Sequence, residues 1–131
     1  MTSTQHIKTA HWACDVAQRV LANFEDAFPN DERPRKAIEA GRMWARGELK
    51  MSEVRQAAFA AHDAARCARD ASQPKAEAAA RSAGHAAATA HVITHAPHAC
   101  KYALKACDDP ISEGIWQKSG APYANANRCV T

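Results

Sequence analysis

Two histidines near residue 90 have the spacing of a helical metal site. His91 and His95 lie four residues apart, so on an unbroken helix both imidazoles would project from one face and could bind a zinc ion together. A third ligand would come from His62, Asp63 or Glu77. Val92, however, stands where the H-E-x-x-H motif of metalloproteases places its general base. A zinc site at His91 and His95 is therefore the less favoured interpretation.

The favoured interpretation of the histidines is structural. His85, His91 and His95 belong to an alanine-rich segment, residues 81–95, and alanine is the strongest helix former. A helix covered with methyl groups allows its neighbours to approach closely, so we expect this helix at the centre of a bundle. The imidazoles between the helices would then bond carbonyl or hydroxyl groups, such as that of Thr89. This interpretation requires neither a metal nor another cofactor, and we expect none.

A charged cluster at residues 31–36 is the second group of interest. We expect Arg33 and Arg35 to reach carboxylates such as Asp15 or Glu39 and to join the first two predicted helices by charged hydrogen bonds. Removing one partner of a buried pair would cost about 2 to 5 kcal/mol. The alternative is that the cluster forms a charged binding edge. We prefer the structural role.

A row of cations lies further along the chain, on one side of the third and fourth predicted helices. Its members are Arg66, Arg69, Lys75 and Arg81. These side chains could bind an acidic partner or a phosphate group. A solvated face is the interpretation that we prefer, because charged residues are mostly exposed in folded proteins.

The chain contains no recognisable catalytic motif. We find no nucleophile elbow, phosphate-binding loop, dinucleotide-binding glycine pattern or pair of carboxylates at catalytic spacing. Cys67 and His62 lie on one predicted helix, but a separation of five residues does not bring them face to face. We therefore assign no catalytic residue. An enzymatic activity is left open but is not favoured.

Composition bounds the class of protein. A chain of 131 residues with a net charge of +3 has the size of one domain and lacks the strong positive charge typical of nucleic-acid binders. It contains no apolar run of the roughly 20 residues that a membrane span requires, and its N-terminus lacks the pattern of a signal peptide. These features predict a cytoplasmic protein whose five cysteines are reduced.

Apolar residues at helical spacing predict the secondary structure. The predicted helices run from Thr9 to Phe28, from a cap at Asp31 to Gly47, from a cap at Ser52 to Ser72, from Pro74 to about Val92, through His98 to Ala106, and from Ile111 to Gln117. Pro97 is expected to break or kink the chain near Ile93. Gly41 inside an apolar stripe indicates a close helix crossing.

No strand pattern competes with these helices. The fold class is therefore all-α, a compact bundle or a short α-α superhelix of five to six helices. We expect a single domain over residues 1–131, with its core at about 9–107. Residues 108–131 would add a short helix that docks Trp116 on the bundle and, from Lys118, an irregular tail. The sequence leaves open whether a second copy covers exposed alanine faces to form a homodimer.

Two strings of residues resemble a known family. RPRKAIEA at residues 33–40 and GHAAATAHV at residues 84–92 lie within a longer similarity, from about Trp12 to Ala106, to the bacterial Imm-5-like family of putative immunity proteins. The tail departs from the closing helix of the family, because Gly120, Asn125 and Asn127 replace good helix formers.

This resemblance implies an all-α protein that protects its producer by binding a toxin, a protein partner that the sequence does not identify. The implied mechanism is occlusion, in which a rigid helical face covers the active site of the toxin. The alternative is a small helical enzyme or ligand-binding protein with a central pocket. Its candidate lining residues are His62, His85, His91 and Asp15.

Overall fold

The computed structural model describes residues 3–120, and this part of the chain folds into packed α-helices without a strand. The helices are α1 (Thr4–Val20), α2 (Ala22–Glu25), α3 (Arg33–Ala45), α4 (Met51–Asp70), α5 (Pro74–Ala88), α6 (His95–Ala106) and α7 (Pro110–Gly120). The all-α prediction is confirmed. The described residues form seven helices, where five to six were predicted, because the first predicted helix is interrupted at Leu21. There the backbone N–H bonds the carbonyl three residues earlier, at Gln18.

Helix ends follow the local chemistry of the chain in most places. Pro74 occupies the first turn of α5, where its missing N–H costs no hydrogen bond. Gly47 follows α3 with a φ of 77°, a left-handed conformation that glycine adopts without strain. At α3 the N-cap is Glu32 and not the predicted Asp31, although the carboxylate of Asp31 accepts the backbone N–H of Arg33. The predicted cap at Ser52 is wrong, because α4 begins at Met51 and Lys50 is its N-cap.

Helix α5 lies at the centre of the fold. It contacts α1, α2, α3, α4 and α6, and its alanines are almost all buried. Such contact is possible because methyl side chains let helix axes come close together. At the predicted close crossing, a Cβ atom on Gly41 would lie 2.8 Å from Cys14 Sγ and 3.5 Å from Ala87 Cα. Gly41 therefore allows α3 to pack against both α1 and α5.

The path between α5 and α6 differs from the prediction. Helix α5 ends at Ala88 and not near Val92, and a turn leads to the start of α6 at His95. Pro97 lies in the first turn of α6, where proline is tolerated. A continuous helix through residue 97 would require a backbone N–H that proline lacks, so the chain turns before it.

Helix α7 is anchored on the bundle by polar contacts. Arg19 donates two hydrogen bonds, of 2.8 and 3.0 Å, to the carboxylate of Glu113. Its guanidinium also lies 4.0 Å from the centre of the Trp116 ring, which packs against the core as predicted. Gln117 Nε2 donates to the carbonyl of Cys100. Residues 118–120 belong to α7, and the remainder of the predicted irregular tail lies outside the described residues.

Among the described helices, none is both long enough and apolar enough to cross a membrane.

Candidate functional site

One stripe of the central helix is visible from solvent. Between Ala76 and Ala90 every residue is buried except Glu77, Arg81, His85 and Ala88. These four follow one another at intervals of four, four and three, which is the spacing of a single helix face. The stripe is the floor of a groove between α4 and α6, which we call the central cleft. Its walls are formed by Arg55, Phe59 and His62 of α4 and by His95, His98, Tyr102 and Lys105 of α6.

His85 is the centre of the cleft. Its ring stacks on that of Tyr102, with centroids 5.4 Å apart and an interplanar angle of 5°. On its other sides the ring meets those of His62, His95 and His98, at centroid distances of 4.9, 5.2 and 5.1 Å. The Nδ1 atoms of His85 and His95 lie 3.0 Å apart, so one ring donates a hydrogen bond and the other accepts it. A neutral pair satisfies this contact, whereas two imidazolium rings would have no acceptor.

The position of His62 depends on Gly84. A Cβ atom on residue 84 would lie 2.6 Å from His62 Nε2, so only glycine leaves room for this ring against α5. Arg81 Nη1 lies 2.8 Å from His62 Nδ1 and donates to it. The guanidinium therefore requires Nδ1 of His62 to be free of a proton, which holds His62 neutral. The other N–H groups of Arg81 remain for further partners.

Burial and neighbouring charge keep these imidazoles neutral. Desolvation, followed by the charge of Arg81, lowers the pKa of His62 to about 4. Desolvation and the surrounding histidines lower the pKa of His85 to about 3. The pKa of His95 is also lowered, mainly by burial. At neutral pH the rings of His62, His85 and His95 are therefore uncharged and can donate or accept hydrogen bonds.

Two hollows open on either side of His85. The smaller, of about 140 Å³, lies between α4 and the end of α5, and its lining is Arg55, Ala58, Phe59, His62, Ala88, His91 and His95. The larger, of about 560 Å³, is lined by Pro74, Lys75, Glu77, Ala78, Tyr102 and Lys105. The His85 ring lies between them, next to His62 and His95 of the smaller lining and Tyr102 of the larger, and we include both hollows in the central cleft.

The cleft carries cations without carboxylate partners. Within residues 3–120, no ion pair to a carboxylate is formed by Arg55, Arg81, Lys101 or Lys105. Lys101 and Lys105 lie 5.9 and 5.2 Å from the centre of the Tyr102 ring. Lys75, at one end, pairs with Asp108. Glu77 is the one carboxylate in the linings of the two hollows, so this surface is positively charged.

Large apolar side chains are exposed at the other end of the cleft. Phe59, on the wall of the smaller hollow, is 61% exposed. The turn that carries His91 also exposes Val92 and Ile93. Apolar groups of this size beside unpaired cations are typical of a binding surface.

The predicted charged seam exists, but with other partners. Asp15 pairs with Arg42 at 2.9 Å, and this contact joins α1 to α3. Arg33 pairs with Asp31, two residues away, at 2.6 Å. Arg35 reaches Glu25 of α2 at 2.6 Å. Neither arginine bonds Asp15 or Glu39, because each finds a closer carboxylate at the start of α3 or in α2.

The geometry assumed for the zinc alternative is not present. His91 lies exposed in the turn after α5 and His95 begins α6, so the two rings do not project from one helix. In the part of the chain that the structure describes, no three or more His, Cys, Asp or Glu side chains are arranged to hold a metal ion. His91 nevertheless lines the smaller hollow together with His62 and His95.

Several residues of the two cleft walls were not singled out from the sequence. The wall formed by α6 was visible as the spacing of His95, His98, Tyr102 and Lys105, which repeats every three or four residues and marks one helix face. Arg55 and Phe59 are likewise four residues apart. The presence of two such polar faces was detectable, but their position on either side of α5 was not.

A known protein family matches most of the chain. Residues 1–111 fit the family model described as Imm-5 like putative immunity protein. This range contains every residue of the central cleft and only the first two residues of α7. No match was found among curated proteins or among solved structures.

Proposed function

The chain belongs to the Imm-5 like putative immunity protein family, whose model covers residues 1–111 of 131, and we propose that it binds a toxin protein through the central cleft and neutralises it by covering the active site of the toxin. The observation that carries the choice of surface is the coincidence, in one groove, of unpaired cations and exposed apolar side chains. Interfaces combine such apolar anchors with a polar rim.

Rigid support from α5 favours binding by a preformed surface. The floor of the cleft is a helix whose other residues from Ala76 onward are buried, and the walls are the two helices that contact it most closely. A preformed surface loses little conformational entropy on binding, which increases affinity for a given contact area. Occlusion needs this property, because the inhibitor must remain in place over the toxin.

A second candidate function is supported by the imidazole contacts. The hydrogen-bonded pair His85 and His95 lies beside a hollow of about 140 Å³, which could hold a small ligand or a reacting group. A neutral imidazole donates a hydrogen bond from one ring nitrogen and accepts one at the other, which suits a small polar ligand, whereas the lowered pKa values of His62 and His85 make these rings weak bases at neutral pH. The two functions differ in their demands: protein binding needs the rings for packing, whereas pocket chemistry needs their nitrogens.

Co-expression with the toxin tests the proposed function. The chain would be produced together with the toxin encoded beside its gene, and cell survival and co-purification would be measured. We expect survival and a stable complex. The lack of a toxin gene in the neighbourhood, or death of cells that contain the folded chain, would contradict the proposal.

Substitution of an exposed apolar residue locates the surface. Phe59→Asp places a charge where an apolar contact is proposed, and it should abolish protection without unfolding the chain. The matched control is Ile115→Asp, because Ile115 is 65% exposed on α7, outside the cleft. Equal loss of protection in both variants, or in neither, would mean that the cleft is not the binding surface.

Conservative histidine variants separate the two functions. His95→Gln keeps a polar side chain near His85 but removes the imidazole. Protection by this variant at the level of the parent chain supports binding by surface contact. Loss of protection with unchanged thermal unfolding and unchanged complex formation would instead support chemistry at the histidines.

A further inference from the structure

We propose that the partner enters the central cleft with an acidic segment and places one aromatic or branched aliphatic side chain in the hollow between α4 and the end of α5. This inference rests on the proposed function and adds the chemistry of the partner surface. It follows from the charge of the cleft, the donors of Arg81, and the size and lining of the hollow.

The first argument is charge complementarity. Arg55 and Lys105 line the two hollows and Arg81 lies between them beside His62; none of the three has a carboxylate partner in the described chain, and Glu77 is the only acid in the linings. Elsewhere the chain pairs its arginines: all five between residues 19 and 46 bond a carboxylate. Cations left unpaired in one groove are available to carboxylates of a partner.

The second argument is the orientation of Arg81. One of its nitrogens donates to His62 Nδ1, and this contact fixes the guanidinium at the half-buried floor of the cleft. A guanidinium carries five N–H donors in a planar fork, so donors remain for a bidentate contact with a carboxylate. Because the side chain is already held by His62, less rotamer entropy is lost when a partner binds.

The third argument is the shape of the smaller hollow. Its volume of about 140 Å³ is close to that of a cavity that holds one benzene ring, about 150 Å³. Ala58, Phe59 and Ala88 supply apolar lining, and His62, His91 and His95 supply ring faces and edges. An aromatic or branched aliphatic side chain fits this mixture, whereas the lining offers a second carboxylate a single cation, Arg55.

The length of the cleft limits the size of the segment. From Glu77 to Ala88 the floor rises over eleven residue steps, about 16 Å along a helix. An extended chain of about five residues covers this distance. The segment therefore needs two or three acidic residues on one side of a single apolar residue, with the acids above Arg81 and Lys105.

Peptide binding tests this inference directly. The probe is a twelve-residue peptide that contains three glutamates followed by one tryptophan, with serine and glycine elsewhere. Its matched controls replace glutamate by glutamine in one peptide and tryptophan by serine in another. With the intact chain at low ionic strength, tryptophan fluorescence and NMR shifts of His62 and His95 should show binding at least tenfold tighter than for the glutamine peptide. Binding should weaken as salt is added.

Charge-reversal variants place the binding in the cleft. Arg55→Glu combined with Lys105→Glu should lower the affinity for the acidic peptide at least tenfold, because it reverses the charge at both ends of the cleft. Both residues are exposed, so the chain should still fold. The control combines Lys36→Glu with Lys118→Glu, which makes the same change in net charge outside the cleft. An equal effect of the two double variants, or equal affinity for the glutamate and glutamine peptides, would overturn the inference.

Nucleic acid is an outcome of the same experiment. An oligonucleotide of twelve thymidines carries more negative charge than the peptide and has no carboxylate. If it binds more tightly than the acidic peptide and is displaced by the same cleft substitutions, the partner is a nucleic acid and the inference is wrong.

The toxin assay separates this inference from the proposed function. If Phe59→Asp abolishes protection while Arg55→Glu with Lys105→Glu preserves it, the cleft binds the toxin but not through an acidic segment. If neither affects protection, the cleft itself is not the binding surface and the proposed function fails at this site. Loss of protection in both variants, with the Lys36 and Lys118 control active, supports the two proposals together.

Discussion

The two sides of this molecule use arginine differently. On the side formed by α1, α2 and α3, each arginine bonds a carboxylate of the same chain; the pairs are Arg19–Glu113, Arg33–Asp31, Arg35–Glu25, Arg42–Asp15 and Arg46–Glu48. In the central cleft, Arg55 and Arg81 have no such carboxylate within the described residues. The first arrangement joins segments of the chain. The second leaves positive charge available to another molecule.

This difference shows why charge alone is a poor guide to function. An ion pair within the chain satisfies both groups and leaves little reason to bind a partner. A cation held by a neutral imidazole, as Arg81 is by His62, is oriented but not neutralised. The comparison therefore supports the proposal that the cleft binds the partner, and it does so by the partners of the charges and not by their number.

The largest expected effect distinguishes the contact of α3 with α5 at Gly41 from the contact of α4 with α5 at Gly84. Gly41→Ala should lower the free energy of unfolding by about 2 kcal/mol, because its Cβ would meet the fully buried Cys14 Sγ and the α5 backbone. Gly84→Ala should cost less than about 1 kcal/mol, since the half-buried His62 ring can turn toward solvent and alanine gains helix propensity.

Urea unfolding of the two alanine variants measures this difference, and NMR of His62 reports whether the ring has moved. An equal cost at both glycines would show that the cleft wall is as rigid as the packed side. Gly84→Ala should also lower the affinity for the acidic peptide, because the displaced His62 no longer orients Arg81.

The next effect concerns the most buried pair on the packed side. Glu113→Ala should lower stability by about 1.5 kcal/mol, because it removes two charged hydrogen bonds from Arg19, which is 41% exposed and regains water. The resulting loss should be greatest in α7, as measured by amide hydrogen exchange. Uniform loss of protection over all helices, or none in α7, would contradict an anchoring role for this pair.

Acid titration should distinguish the two sides by pH. Because the pKa values of His62 and His85 are lowered in the folded chain, these two histidines bind protons below about pH 6.5 in the unfolded chain but stay neutral in the folded chain. Protonation therefore does not reduce the free energy of unfolding above pH 6.5, and this free energy falls as the pH is lowered toward 4. Asp31 and Glu25 have lowered pKa values because of Arg33 and Arg35, so their contribution is lost only at lower pH, below their usual values of 3.8 and 4.5.

Thermal unfolding at pH 7.0 and pH 5.0 tests the first window. The melting temperature should be lower at pH 5.0, and the double variant His62→Gln with His85→Gln should show a smaller difference between the two pH values. If this variant retains the full difference, the cleft histidines are not the titrating groups.

The smallest expected effect is at Arg33. This residue was predicted to form a buried pair worth about 2 to 5 kcal/mol. The structure pairs it with Asp31 at a side-chain exposure of 39%, so Arg33→Ala should cost less than about 1 kcal/mol. A shift in the urea midpoint equivalent to more than 2 kcal/mol would restore the original interpretation.

Much of the fold could be predicted because its signals are local. The apolar spacing, the start of α5 at Pro74 and the glycine at position 47 each depend on a few neighbouring residues. The error at the end of α5 had a local cause as well. Alanine and histidine continue past Ala88 with the composition of a helix, but Pro97 requires a break whose position composition does not specify.

The candidate site was only half predictable. His62, His85, His91 and His95 were singled out from the sequence, and all four lie in or beside the cleft. Asp15, Arg33, Arg35 and Glu39 were grouped with them but belong to the other side of the molecule or to separate contacts. Which carboxylate each arginine reaches depends on how α1, α2 and α3 are placed, and residue spacing does not specify that placement.

The sequence by itself determined that the chain is helical and that an alanine-rich helix lies at its centre, because helix propensity and methyl-sized side chains act over a few residues. Only the tertiary structure decided which cations are paired and which are not. Pairing depends on how α4 and α6 lie along α5, since that placement brings His62 to Arg81 and His95 to His85 while leaving the cleft between them open. The function proposed here therefore depends on helix packing, which brings residues distant in the sequence into one groove.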